Sequence, residues 1–412
     1  DPKYLADLGR AIYDSLAKSD PQAVWVLQGW AFMNQRHFWT QPRFKAFLDA
    51  VPHDRMVVLD LMCEQTPAWD KTEAFCGKPW LWCNIETFGR AVHLSGALSR
   101  IGQDLPALRR QPRSGKLSGL GFVNEGLGYN PVVYDLMFEM AWRDGPVNLK
   151  QWIGEYAWHR YGRDNEDARR AWEILLDVVY DGAHYTRSIV DQGPQVQTAA
   201  AQAPYDNVRL AGAWQALLAA ADELGNVDTF RFDLANVARQ VLSNHAAVLH
   251  TAMVKAAQEK NTGALGAASE QFLQLIRDMD ELLATRREFL LGSWLEDAKR
   301  WGATDTERAR FEWNARRVLT QWGQTAALDD YAHKEWSGML NGYYLKRWEL
   351  FLPDFAESLK SGQLFDDKAF QAKVRKWTAD WSDQRETYPT RPQGDSIELA
   401  KKLWAKYEKQ LR

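Results

Sequence analysis

Four short runs of apolar, β-branched and aromatic residues fall in the first third of the chain: Ala23 to Trp30, Arg55 to Met62, Pro79 to Ile85 and Gly119 to Glu125. Runs of this length, bounded by turn residues, predict buried parallel strands. Between them, Pro42 to Ala50 and Gly89 to Arg100 carry helical patterning. A helix precedes the first run, with Leu5, Leu8, Ile12 and Leu16 at helical spacing, Asp1 as its cap and a stop at Ser19-Asp20-Pro21. Strands alternating with helices predict a parallel sheet.

Each run closes on groups that a purely structural strand end does not need: Gln28 and Trp30, then Glu64, then Asn84 and Glu86, then Asn124 and Glu125. Functional groups at successive carboxyl ends of strands are what the mouth of a (β/α)8 barrel shows. Four strands are half of such a barrel and leave two unpaired edges. The expectation is an α/β segment, residues 1–146, forming the C-terminal half of a (β/α)8 barrel whose N-terminal half lies elsewhere.

From Val147 onward the pattern changes to long amphipathic helices, such as Leu149, Trp152, Ile153 and Tyr156, or Leu234, Val237, Val241 and Val248. Breaks at Asp181-Gly182, Gln192 to Pro194, Asn261 to Gly263, Gly323 and Tyr388 to Gly394 are too short for linkers between modules. Residues 147–412 therefore read as one large α-helical domain.

Basic and acidic residues, 51 and 54 of them, are spread evenly and leave a net charge of -3, so no basic stripe calls for nucleic acid or an anionic membrane. No apolar run is long enough for a membrane helix, and DPKYLADLGR lacks the regions of a signal peptide. If the protein is exported, its signal has been removed. Cys63, Cys76 and Cys83 have neither CxxC spacing nor paired histidines nearby, so buried free thiols are expected and no metal site is.

Hydrolysis of a glycosidic bond with retention needs two carboxyl groups about 5 to 5.5 Å apart, one to protonate the leaving oxygen and one to attack the anomeric carbon. Glu125 sits at the end of the last run between Asn124 and Gly126, where a small neighbour admits a ligand close to the backbone. It is the first candidate; the plainer alternative is a loop carboxylate capping the helix that starts near Pro131. Glu64 and Glu86 also stand at strand ends, either as binders of sugar hydroxyls or as structural acceptors. Among the 20 tryptophans, Trp152, Trp158 and Trp172 fall on helical faces and read as core. Trp30, at a strand end, and Trp322, at a helix break, are placed to offer a flat face to a sugar ring, with core packing the alternative. His184 follows Tyr180-Asp181-Gly182 just outside a helix, where a structural role is the ordinary one.

The stretches AVWVLQGW, VVLDL followed by Glu64, PWLWC with Phe88-Gly89, NEG followed by PVVYDLMFEMAW, FLLGSWLEDA, LTQWG, LDDYA with YYLKRWELFL, and TYPTRPQGD run in order along the chain. In them the sequence resembles glycoside hydrolase family 89, the α-N-acetylglucosaminidases, over essentially its whole length. The family includes a lysosomal enzyme of heparan sulfate breakdown. The resemblance implies a (β/α)8 barrel followed by a long helical domain. It implies a retaining hydrolase that releases terminal α-linked N-acetylglucosamine from glycans, with Glu125 as nucleophile and Trp30, Tyr134, His184, Trp322, Leu328 and Tyr331 lining the sugar pocket. The family's general acid lies in an Asn-Glu-Met motif that this chain lacks, just upstream of the region resembling residues 1–20. Glu86, Thr87 and Arg90 stand where members commonly have imidazole, amide or glycine, a departure within Asn84 to Arg90 that bears on substrate preference.

The implied mechanism is double displacement, with an upstream glutamic acid serving first as acid and then as base. It requires no metal or organic cofactor, and its partner is a glycan ending in α-N-acetylglucosamine. Two other readings are a noncatalytic sugar-binding protein that keeps the aromatic pocket, and a fragment active only with a separately supplied N-terminal half. The chain contains no Asn-x-Ser/Thr sequon, so a bacterial protein is expected over a lysosomal one, and the resemblance with its glycan substrate implies a periplasmic or secreted location.

Overall fold

The computed structural model describes residues 1–86, 92–125, 128–182, 187–323 and 328–412. Two compact units divide the chain: Asp1–Phe88 with Ser95–Trp152 and Tyr180–Ala183, and Gly89–Leu94 with Ile153–Val179 and His184–Arg412.

The first unit opens with α1 (Pro2–Ser19), capped by Asp1, whose carboxylate accepts the Lys3 N–H at 2.8 Å. Then come β1 (Trp25–Gln28), α2 (Trp30–Asn34), α3 (Gln41–Asp49), β2 (Met56–Asp60), α4 (Glu73–Cys76), β3 (Pro79–Asn84), α5 (Leu105–Arg109), β4 (Lys116–Phe122) and α6 (Pro131–Met140). The four strands form one sheet in sequence order, every neighbouring pair parallel. The register pairs Gln28 with Leu59, Asp60 with Trp82 and Asn84 with Phe122, so the strands finish side by side at their carboxyl ends. Trp80 and Phe75 are fully buried, and Trp69 stacks on Trp80 with ring centroids 5.8 Å apart. Glu73, Ala74, Phe75 and Cys76 all have positive φ, which makes α4 a single left-handed turn. Burial of Ala74 and Phe75 opposes the cost of that turn, about 1–2 kcal/mol per residue.

Three expectations about these elements change. In α1 the buried residues are Leu5, Gly9 and Tyr13, while Tyr4, Leu8, Ile12 and Leu16 are exposed. The helical patterning assigned to Gly89 to Arg100 is not a helix over the described residues 92–97; winding starts at residue 98 and passes through a π-turn, Arg100–Asp104, into α5. Side chains distant in sequence take the N–H groups of this stretch: Gln240 accepts from Leu94 and Asn130 from Ser95. The first run is also shorter than expected, since β1 stops at Gln28 and Trp30 opens α2.

The helical part comprises α7 (Leu149–Tyr161), α8 (Glu166–Leu175), α9 (Asn207–Leu224), α10 (Asp228–Gln258), α11 (Thr262–Leu283), α12 (Leu291–Lys299), α13 (Asp305–Leu319), α14 (Leu345–Ser361), α15 (Asp367–Asp383) and α16 (Ser396–Tyr407). The 31-residue α10 is buried along most of its length and packs against α9, α11 and α16. A helix buried all round must satisfy its own polar groups. Asp233 accepts from both Arg160 and Tyr161, and Arg239 pairs with Glu335 at 2.7 Å. Trp152 and Trp172 are core, but Trp158 is half exposed and stacks on His159. The three thiols are free, Cys63 and Cys83 buried and Cys76 half-buried. Among the described residues no helix is long and apolar enough to cross a membrane.

Candidate active site

In the first unit, the strand register dictates which side chains are neighbours. Two residues past the end of β3, Glu86 is buried; it accepts from Asn130 through one carboxylate oxygen and from the Tyr134 hydroxyl at 3.0 Å through the other. Asn130 Oδ1 in turn accepts the Ser95 N–H at 3.1 Å and the Tyr180 hydroxyl at 3.0 Å. The Asn130-Pro131 dipeptide starts α6 as expected, yet the Asn130 side chain makes no cap bond. Tyr134 lies flat against Phe122 at the end of β4, centroids 4.6 Å apart. Burial, followed by the Glu86 charge, pushes its phenol well above the usual range, so it stays a hydrogen-bond donor.

Glu64 lies in the turn after β2. The neighbouring Cys63 N–H donates to the Cys83 carbonyl, which draws that turn alongside β3. The Glu64 Oε1 accepts the Ile85 N–H at 3.4 Å, while Oε2 has no hydrogen-bond partner among the described residues. Burial lifts this carboxyl to about 8, against the opposing pull of backbone hydrogen bonds. Asn84 Oδ1 and Asn124 Oδ1 are likewise buried acceptors with no partner among the described residues. Among the described residues, unspent oxygens therefore stand at the carboxyl ends of three successive strands, where a folded protein ordinarily satisfies nearly all such atoms. Glu125 follows Asn124, three residues beyond β4, and is exposed.

Trp30 is held by a close backbone approach. The Gly29 N–H donates to Leu59 O at 2.8 Å, and a Cβ at residue 29 would come within 2.7 Å of that oxygen. Only glycine fits there, so α2 starts with a half-buried Trp30 directly after the sheet.

In the second unit, the Trp322 and Tyr331 rings are 4.9 Å apart, tilted by 55°. An antiparallel bridge between Gln321 and Asp329 brings their two segments together. Trp322 and Leu328 are exposed and Tyr331 is half-buried. His184, Thr87 and Arg90 lie outside the described residues. The structure thus joins Glu86 to Tyr134 and Trp322 to Tyr331. Asn130 and Tyr180 escaped the sequence reading, although the Asn-Pro pair opening a helix marked Asn130 as special.

A parallel sheet whose strand ends carry carboxylates and buried acceptors has the arrangement found at the mouth of a (β/α)8 barrel. The family model for the alpha-N-acetylglucosaminidase tim-barrel domain matches residues 1–144, and the model for that family's C-terminal domain matches residues 152–406. The chain belongs to the alpha-N-acetylglucosaminidase family. It is 35% identical to human alpha-N-acetylglucosaminidase over 99% of its own length and 56% of the relative's. It superposes with a TM-score of 0.87, at 28% identity, on a family 89 glycoside hydrolase from Clostridium perfringens bound to 2-acetamido-1,2-dideoxynojirmycin, covering 98% of this chain and 46% of that one. A form of the Clostridium perfringens enzyme with two glutamates changed to glutamine, in complex with its substrate GlcNAc-alpha-1,4-galactose, gives 0.88 at 27% identity, covering 99% and 47%. The chain spans about half the length of these relatives.

Proposed function

We propose that the chain is part of a retaining glycoside hydrolase that removes terminal α-linked N-acetylglucosamine, with Glu125 as nucleophile. The carrying observation is the set of buried oxygens without a hydrogen-bond partner among the described residues, Glu64 Oε2, Asn84 Oδ1 and Asn124 Oδ1, at the strand ends that lead to the exposed Glu125. Sugar hydroxyls, which both donate and accept, and the acetamido N–H suit such a row, in which Glu64 keeps its own proton below about 8. The substrate named for the Clostridium perfringens neighbour carries the same α-linked sugar.

With retention, the chemistry of that sugar requires a protein nucleophile. In an α-N-acetylglucosaminide the acetamido group is cis to the leaving oxygen and cannot reach the opposite face of the anomeric carbon. Retention by substrate assistance, available to some glycosidases, is therefore closed, and a carboxylate must form the glycosyl intermediate. The second carboxyl group, which protonates the leaving oxygen and then activates water, is assigned to a segment that completes the barrel. The exposed apolar side chains of Val26 on β1 and of Leu8, Ile12 and Leu16 on α1 support a further layer there.

Trp30 and Tyr134 are proposed as sugar-binding residues, Tyr134 with its hydroxyl committed to Glu86; Trp322, Leu328, Tyr331 and His184 are proposed as sugar-binding residues in their own right. The proposal includes export from a bacterial cell, supported by the family and its glycan substrate, while the absence of any Asn-x-Ser/Thr sequon favours a bacterial protein over a lysosomal one.

The test is hydrolysis of an aryl α-N-acetylglucosaminide by the full protein, with the first-formed product anomer read by NMR. Release of the α-anomer supports the proposal. Release of the β-anomer, or sugar binding without turnover, overturns it, the latter in favour of a binding protein.

A further inference from the structure

The segment from Leu328 to His333 departs from ordinary backbone geometry. Asp330 has φ +56° and His333 has φ +44°, two non-glycine residues in the left-handed region on either side of Tyr331. Strain of this kind persists only where surrounding contacts over-determine it.

Both strained residues are pinned from the buried side. Asp330 accepts from the Arg347 guanidinium at 2.5 Å and from the Tyr343 hydroxyl at 2.9 Å, and its N–H donates to Thr320 O at 2.7 Å. Arg347 and Tyr343 are almost wholly buried. His333 Nδ1 lies 3.0 Å from Asp191 Oδ1, and both side chains are buried. A second imidazole, His93, stands 3.9 Å from the other oxygen of Asp191. The two pins share a partner segment, because Arg347 also donates to the carbonyls of Asp191 and Gln192 at 3.4 and 3.3 Å. Between the pins, Tyr331 is held against Trp322.

We propose that Asp330 and His333 are positioning residues: the Asp330–Arg347 and His333–Asp191 pairs hold a strained turn so that Tyr331 and Trp322 form a sugar platform before any sugar arrives. This rests on the reading of Trp322 and Tyr331 as sugar-binding residues. A preformed platform avoids the entropic cost of ordering the turn on binding.

The test is a double-mutant cycle in the full protein, read by calorimetric titration with 2-acetamido-1,2-dideoxynojirmycin. Asn tolerates the left-handed region, so Asp330→Asn keeps the backbone accessible while removing the charge that grips Arg347. Asp330→Asn is expected to weaken binding by about tenfold alone, and to add almost nothing in a Tyr331→Leu background, because contacting residues couple. Equal weakening in both backgrounds, or none in the single variant, overturns the positioning role. A Tyr331→Leu variant that binds as tightly as the parent overturns the sugar-binding reading itself, and the positioning role with it. Should Asp330→Asn not fold, His333→Asn removes the other pin and takes its place in the cycle: weakening confined to the Tyr331 background supports the positioning role, and equal weakening in both, or none, overturns it.

Discussion

The Tyr134 hydroxyl donates to Glu86 across 3.0 Å, so the tyrosine expected to face the sugar is committed to a buried carboxylate. Asn130 donates to the other oxygen, and through Tyr180 and Ser95 the network ties β3, α6 and the Tyr180 segment together. Tyr134→Phe leaves one Glu86 oxygen without that donor while keeping the ring on Phe122. A hydrogen bond to a buried charged group is worth about 1.5–3 kcal/mol, and urea denaturation of the variant should show a loss of that size. A stability equal to the parent's would mean that Tyr134 is not committed to Glu86 in solution.

Glu64 makes stability depend on pH with a definite sign. Burial raises its carboxyl from the ordinary 4.5 to about 8, so within that window the folded chain keeps a proton that the unfolded chain releases. Its contribution is complete below the lower value and is lost as pH rises through the upper one. Glu64→Gln mimics the protonated form at every pH. The variant should match the parent near pH 4.5 and exceed it in stability near pH 8, by a margin on the order of a few kcal/mol, read from thermal melts across that range. Parallel pH profiles for the two proteins would contradict the assignment.

Asn84 and Asn124 each leave a buried oxygen without a donor among the described residues, a cost of about 1–3 kcal/mol apiece that bound sugar would offset. Asn84→Leu should therefore gain about 1 kcal/mol of stability and raise KM for the aryl α-N-acetylglucosaminide by roughly tenfold, a trade of function against stability. Steady-state kinetics and chemical denaturation on the same preparation decide it. An unchanged KM removes Asn84 from the site.

In the helical part, Asp233 receives Arg160 at 2.5 and 2.8 Å and Tyr161 at 2.8 Å, all but Arg160 fully enclosed. Asp233→Ala strands a guanidinium that is only about a tenth exposed, and breaking such a pair costs about 3–5 kcal/mol. Thermal denaturation should show that loss. A shift under about 1 kcal/mol, the scale of a surface pair, would contradict it.

Periodicity made the sheet legible: all four strand runs appear, in order and parallel, because β-branched and aromatic residues between turn signals have few other uses. Strand ends were less legible. Trp30 falls outside β1 because Gly29 allows a backbone contact that no local pattern encodes. The stretch before α5 looked helical because its apolar spacing is real, but Gln240 and Asn130, far away in sequence, take its peptide groups. The Glu86 network depends on partners 44 to 48 residues apart, which single-sequence spacing does not report. The left-handed turn at Asp330 and His333 contains no glycine between Leu328 and His333 to announce it.

Whether Glu125 attacks the anomeric carbon is tested most directly by azide rescue of Glu125→Ala in the full protein. With an aryl α-N-acetylglucosaminide whose leaving group needs little protonation, the variant should lose nearly all turnover. Azide occupying the vacated space attacks from the face opposite the leaving group, so activity should return with β-configured glycosyl azide as product. An α-configured azide would make Glu125 the acid–base group, and turnover equal to the parent's without azide would remove it from the reaction.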